Sequence, residues 1–143
     1  MAYFIFEVPG EPRGKGRPRF FRRGKGVGTY TDDKTVSYEN LVRTSFKAAY
    51  PDCIPTRKAV TITIHAYFSI PKSASKVKRE AMLERNIRPT KKPDVKNILA
   101  AVEDGLNTVA YMDDSQIIYE KCGKYYDEKP RVIVVLREFR DEN

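Results

Sequence analysis

The stretch Lys91–Ile117, KKPDVKNILAAVEDGLNTVAYMDDSQI, decides how the chain is read. It carries five carboxylates (Asp94, Glu103, Asp104, Asp113 and Asp114), and its last basic residue is Lys96. From Asp94 the apolar residues recur with a helical period. At roughly 100° per residue, Ile98, Leu99, Val102 and Leu106 form one stripe, so a helix is predicted from Asp94 to about Thr108. Asn97, Ala101 and Asp104 fall on the adjoining face, and Lys96, Ala100, Glu103 and Asn107 lie further round. The helix breaks at Asn107–Ala110, and a strand opens near Gln116. Helix start and strand start are therefore expected to bring Asp94, Asp104, Asp113 and Asp114 toward one point.

Working outward, Tyr3–Val8 reads as a strand ended by PGEP. The following segment, RGKGRPRFFRRGKGVGTY from Arg13, holds seven Arg or Lys and five Gly. Arg19–Arg23, then Gly-Lys-Gly, then Val27–Thr31 read as a glycine-tipped hairpin, with a disordered basic arm as the competing reading. Val36, Tyr38, Leu41, Val42, Phe46 and Ala49 repeat at helical spacing, closed by Pro51 and Pro55. Lys58–Ile70 alternates apolar and polar residues and is rich in β-branched side chains, so it is predicted to be a long strand. Ser73–Arg85 is predicted as a short surface helix capped by Ser73 or Ser75. The C-terminal part, from Gln116, reads as a hairpin with its turn near Asp127–Pro130. The order β, hairpin, α, β, α, α, β, β predicts an α+β fold. It is a single small domain over residues 1–143, a mixed β-sheet with helices packed on one face and a basic N-terminal hairpin.

Composition bounds the function. The 143 residues carry a net charge of +8, with 41% hydrophobic and 32% charged. Such a balance points to a polyanionic partner, because clustered Lys and Arg displace counterions from phosphates. No apolar run approaches the roughly 20 residues of a membrane span, and the start MAYFIFEVPG lacks the basic region of a secretory signal. Cys53 and Cys122 are too few and too far apart for a disulfide framework or a zinc site, and they read as reduced thiols of a cytoplasmic protein. The one histidine, His65, sits in a strand pattern and makes a Ser-His-Asp triad improbable.

Acids inside a basic chain need a reason. Singly, Asp94 reads as a helix cap, Asp113–Asp114 as a turn and Asp104 as a solvated helix residue. Together on a phosphate-binding surface they read as ligands: carboxylates without His or Cys suit Mg²⁺, with Mn²⁺ as an alternative. Arg13, Lys15, Arg17, Arg19, Arg22, Arg23 and Lys25 are the expected backbone-tracking cations. Lys91 and Lys92 flank the acidic segment.

PGEPRGKGRPRF, TDDKTVSYENLV and, most strongly, KPDVKNILAAVEDGLNTVAYMDDSQI resemble the motifs of the RusA family of Holliday-junction resolvases. The resemblance covers most of the chain. It implies a homodimeric, Mg²⁺-dependent endonuclease, often prophage-encoded, that cuts four-way DNA junctions in the cytoplasm of a bacterial or phage-infected cell. It matches Asp94 to the first motif aspartate, Asn97 to the asparagine, Asp104 to the helix aspartate, and Asp113 and Asp114 to the pair before Gln116. Asp94 and Asp114 are then the expected catalytic residues. Lys96 stands where the family has a second aspartate, replacing −1 by +1 where a cation is expected. Three readings follow. Cleavage is reduced or lost, leaving a non-cleaving junction-binding protein as the alternative function. Or a neighbouring acid such as Glu103 or Asp113 compensates, or Lys96 is itself a catalytic cation.

Overall fold

The computed structural model describes residues 3–16, 19–23, 26–30 and 33–140, and describes the two short strands within 19–30 by backbone alone. The elements are β1 (Tyr3–Pro9), β2 (Arg19–Arg23), β3 (Gly26–Tyr30), α1 (Asp33–Ala49), β4 (Val60–Ser69), α2 (Lys76–Leu83), α3 (Val95–Leu106), β5 (Ile117–Asp127) and β6 (Arg131–Glu138). β2 and β3 form an antiparallel pair apart from the main sheet, which is the predicted N-terminal hairpin.

The main sheet has the order β1-β6-β4-β5, with β4 and β5 parallel and the other pairs antiparallel. It is the mixed sheet of the predicted α+β class. The predicted C-terminal hairpin is not formed. β5 and β6 follow one another in sequence, yet β4 lies between them, and both pair with it. Residues Glu128–Pro130 carry the chain across the end of β4. There Asp127 sits opposite Ser69 and Arg131 opposite Tyr67. An Arg131–Asp127 ion pair of 3.0 Å closes this crossing. The physical reason is the pattern of β4, whose Val60, Ile62, Ile64, Ala66 and Phe68 are all buried. At about 1.5–3 kcal/mol per buried large aliphatic or aromatic side chain, such a strand gains most from a central place.

The helices cover the face made by Phe6, Val8, Ile62, Ile64, Val134 and Leu136. Phe46 of α1 meets Phe4 and Phe6 edge-on at 5.6 and 5.3 Å. The core stripe of α3 is wider than the predicted one. Ala101 and Gly105 are buried beside Ile98, Val102 and Leu106, because α1 crosses there. A Cβ on Gly105 would lie 2.7 Å from Val42 Cβ. Among the described residues no helix crosses the opposite face of the sheet at its Tyr3–Arg137–Thr61–Tyr119 row.

Candidate functional site

The segment Pro12–Gly16 passes over the first turns of α1 and α3. The Lys15 amide donates to the Asn97 carbonyl at 2.9 Å, and the Gly16 amide donates to Thr35 Oγ1 at 2.9 Å. Residue 14 must be glycine: a Cβ there would sit 2.7 Å from Asn97 Cβ and 2.9 Å from Pro93 Cβ. This strap closes one wall of a cleft of 350 Å³ lined by Arg13, Lys15, Lys34 and Lys92 together with Thr35 and Asn97. Two helix starts contribute to it, so the positive ends of two macrodipoles add to the four cationic side chains. Asp94 caps α3, its Oδ1 accepting the Asn97 amide at 2.9 Å. Lys96 stands exposed in the same turn, and among the described residues no acid forms an ion pair with it.

The acids gather at the other end of α3. Ten residues separate Asp94 from Asp104, about 15 Å along a helix axis. Glu103 and Glu120 bring their carboxyl groups to hydrogen-bonding separation, with Asp114 and Asp104 near enough to act on them. Burial first, then the Glu120 contact and the neighbouring negative charges, push the Glu103 carboxyl up to about 8. Glu103 Oε1 and Asn107 Oδ1, one helical turn apart, are buried acceptors without a donor among the described residues. The Tyr111 hydroxyl donates to the Glu103 carbonyl at 2.7 Å. Burial, and then the charges of Glu103, Asp114, Asp104 and Glu120, raise its pKa far above that of a free tyrosine.

A lysine does stand among these acids, but it is Lys15. Its Nζ lies 2.5 Å from Asp104 Oδ2. The Asp104 hydrogen bond leads the causes that raise its pKa, followed among the raising effects by the charges of Asp104, Glu39 and Asp114. Glu39 is itself held above the usual carboxylate range, by burial and then by Asp104. Arg43 of α1 donates to the Gly105 and Asn107 carbonyls at 3.3 and 3.1 Å, closing the C-terminus of α3.

Asp113 and Gln116 do structural work beside the acids. Asp113 Oδ2 accepts the Ser115 amide at 2.9 Å, and the Ser115 side chain first and this amide second hold its carboxyl below the ordinary range. Gln116 Oε1 accepts the amides of Met112 and Asp113 at 2.9 Å, and its Nε2 donates to the carbonyls of Thr56 and Lys58 at 2.8 Å. One side chain thereby ties the Asp113–Asp114 turn to the segment that leads into β4.

The expected meeting of Asp94, Asp104, Asp113 and Asp114 at one point is not found. Asp94 lies at one end of α3, Asp104 at the other in an ion pair with Lys15, and Asp113 faces outward as a cap. Of the four, Asp114 and Asp104 act on the Glu103 group through their charge. Among the described residues no three His, Cys, Asp or Glu side chains are gathered to hold a metal ion. What fits a hard divalent cation is the Glu103–Glu120 pair. Its buried, donorless oxygen and raised carboxyl call for positive charge, and Mg²⁺ is commonly mounted on one or two carboxylates with water and phosphate oxygens completing its shell. Glu120, Glu39, Asn107 and Tyr111 were not singled out by the sequence reading. The i, i+4 spacing of Glu103 and Asn107 was the available signal.

The expected cations divide. Arg13, Lys15 and Lys92 line the cleft, whereas Lys91 is turned toward the Phe68 ring, 5.8 Å from its centre. The expectations for Arg17 and Lys25, and for the side chains of Arg19, Arg22 and Arg23, fall outside the described residues.

A cationic cleft and a carboxylate pair at opposite ends of one helix, on a small mixed sheet, describe a protein that handles nucleic-acid phosphates. Residues 9–137 match the family described as Endodeoxyribonuclease RusA. The chain is also 38% identical over 140 residues to the uncharacterized protein YqaN of Bacillus subtilis strain 168, covering 96% of this chain and 98% of that one. The chain belongs to the RusA endodeoxyribonuclease family, whose members are Holliday-junction resolvases. No helix among the described residues is long and apolar enough to cross a membrane.

Proposed function

We propose that this protein is a structure-specific endodeoxyribonuclease of the bacterial cytoplasm. It recognises four-way DNA junctions as a homodimer and requires Mg²⁺, or Mn²⁺ in its place. The observation that supports this best is the cleft at the starts of α1 and α3, where Arg13, Lys15, Lys34 and Lys92 surround a space of 350 Å³. Backbone amides and lysines at helix starts take phosphate oxygens, so a DNA backbone laid in this cleft runs along α3 toward Glu103 and Glu120. Glu103 and Glu120 would hold the divalent cation, with the charge of Asp114 close by. Bound there, it supplies charge neutralisation at the phosphodiester and lowers the pKa of a water.

The chain's own groups set up the remainder. Lys15 reaches from the cleft to Asp104 and so keeps a positive charge at the boundary between phosphate path and acids. Gln116 and Asp113 fix the turn that carries Asp114. Asp94 orders the first turn of α3, which holds the strap through Asn97. A two-fold dimer would present one such arrangement to each of the two equivalent strands of a symmetric junction.

A second reading is a junction-binding protein that does not cleave. It is favoured by Lys96, which stands exposed beside Asp94 at the position of the family's second aspartate. Incubating a synthetic four-way junction with Mg²⁺ or Mn²⁺, beside a gel shift in EDTA, separates the two. Symmetric nicks in opposing strands support the nuclease; a shift without nicks supports the second reading; neither a shift nor nicks removes both.

A further inference from the structure

The face of the sheet turned away from the helices offers a site that the cleavage reading does not use. One register row crosses all four strands as Tyr3, Arg137, Thr61 and Tyr119, and the next brings Ile5, Val135, Thr63 and Lys121 together. Further along this face Tyr67 and Tyr125 stack at 5.3 Å, and the guanidinium groups of Arg85, Arg88 and Arg131 lie over them. That end is closed. The Tyr3–Tyr119 end is open, and a groove of 420 Å³ runs across it with no acid among the described residues of its lining.

The residues at the open end are a distinctive set. Tyr119 is 60% exposed and Tyr3 is 44% exposed. They stand on the first and last strands, about 14 Å apart at ordinary strand spacing. Arg137 lies between them, its guanidinium 4.9 Å from the Tyr3 ring centre. Neither Arg137 nor Lys121 forms an ion pair among the described residues. His65 faces the same groove, and burial together with the Lys121 charge holds it below its ordinary pKa, so the groove keeps its charge on Lys121 and Arg137.

We propose that the open end of this face is a second nucleic-acid surface, which takes an unpaired strand. Exposed tyrosines offer flat π-faces to unstacked bases, and unpaired cations between them take the phosphates. This pattern binds single strands without reading their sequence. Duplex DNA has its bases stacked inward and gains nothing from the tyrosines. A second copy of the chain, docked open end to open end, would set Arg137 and Lys121 against their own counterparts with no acid among the described lining residues to meet them. The surface lies on the opposite side of the sheet from α1 and α3, so the strand it holds differs from the one in the cationic cleft.

The test is fluorescence anisotropy with a short labelled oligodeoxythymidylate, run on the full chain in EDTA. Tyr119→Ala is expected to weaken binding at least roughly fivefold, the contribution of one stacked base, while Tyr119→Phe keeps the affinity. Lys121→Ala with Arg137→Ala is expected to lower the slope of log affinity against log salt by about 1.4, at about 0.7 for each single-strand phosphate contact. In a chain already carrying Arg13→Ala and Lys92→Ala in the cleft, Tyr119→Ala is still expected to weaken the remaining oligonucleotide binding at least roughly fivefold. That result distinguishes failure of this surface from failure of the cleavage reading. No binding by the native chain, or equal binding by all variants, overturns the proposal. So does a dimer that Tyr119→Ala turns into a monomer in sedimentation while the oligonucleotide stays bound, since the face would then be a subunit interface.

Discussion

Replacing Glu103 by Gln keeps the side chain's shape and removes the charge at the centre of the acidic end of α3. In the folded chain this carboxyl is raised from 4.5 to about 8. The proton is therefore bound more tightly in the folded state than in the unfolded one. Stability is fullest below the unfolded pKa and falls as the pH rises from there toward about 8. At full burial such a shift would correspond to about 5 kcal/mol. The carboxyl is only half-buried and its partner Glu120 is exposed, so solvent screening leaves about 1–2 kcal/mol. Without divalent cations, the native chain is expected to lose that amount between pH 5 and pH 8, and Glu103→Gln to lose much less. At pH 8 the variant should melt roughly 3–8 °C higher than the native chain. Magnesium in excess should raise the melting temperature of the native chain at pH 8 and leave the variant nearly unchanged. Urea and thermal melts at both pH values, with EDTA or Mg²⁺, read all four quantities. Equal pH dependence in the two proteins, or a variant less stable at pH 8, would refute both the electrostatic account and the cation mount built on it.

The other expectations concern the groups around that centre. Gln116→Leu removes four hydrogen bonds that tie the Asp113–Asp114 turn to Thr56 and Lys58, and should lower stability in urea by about 1–3 kcal/mol; an unchanged midpoint would mean the turn holds itself. Gly14→Ala forces the strap away from Asn97 and Pro93, and should reduce junction affinity about tenfold, or about 1.4 kcal/mol, while the core still melts near the native temperature. Lys96→Asp puts a carboxylate in the first turn of α3, where the helix dipole should return about 0.3–1 kcal/mol of stability. It should also weaken junction binding in EDTA and raise cleavage in Mg²⁺. If the native chain cuts well and Lys96→Asp slows it, Lys96 is a working catalytic cation.

Short-range periodicity carried most of the fold. β4 and α3 announce themselves because burial on one face imposes a two-residue or 3.6-residue repeat on neighbours in sequence. The same logic does not say which strand lies beside which, and this is why the C-terminal hairpin expected from the sequence is not formed. Glu128–Pro130 resembles a hairpin turn, and nothing local shows that β4 will occupy the space between the strands it joins. Gly105 is a similar case: its need for a bare backbone comes from Val42, more than sixty positions away along the chain.

The candidate site was legible as a charge anomaly and not as a geometry. Acids in a basic chain mark a place where positive charge is required, and the sequence shows that the segment after Lys96 is such a place. It does not show which cation lies among them. Lys96 is near in sequence but exposed at the first turn of α3, whereas Lys15 is eighty-nine positions from Asp104 and touches it. A strap anchored at two helix starts places that lysine, through the Lys15 amide on Asn97 and the Gly16 amide on Thr35. The carboxylates left over, Glu103 and Glu120, then face each other with no side-chain cation between them among the described residues. Their mutual repulsion is what a divalent ion bound there would relieve, so the residue to watch in this family member is Glu103 as much as Lys96.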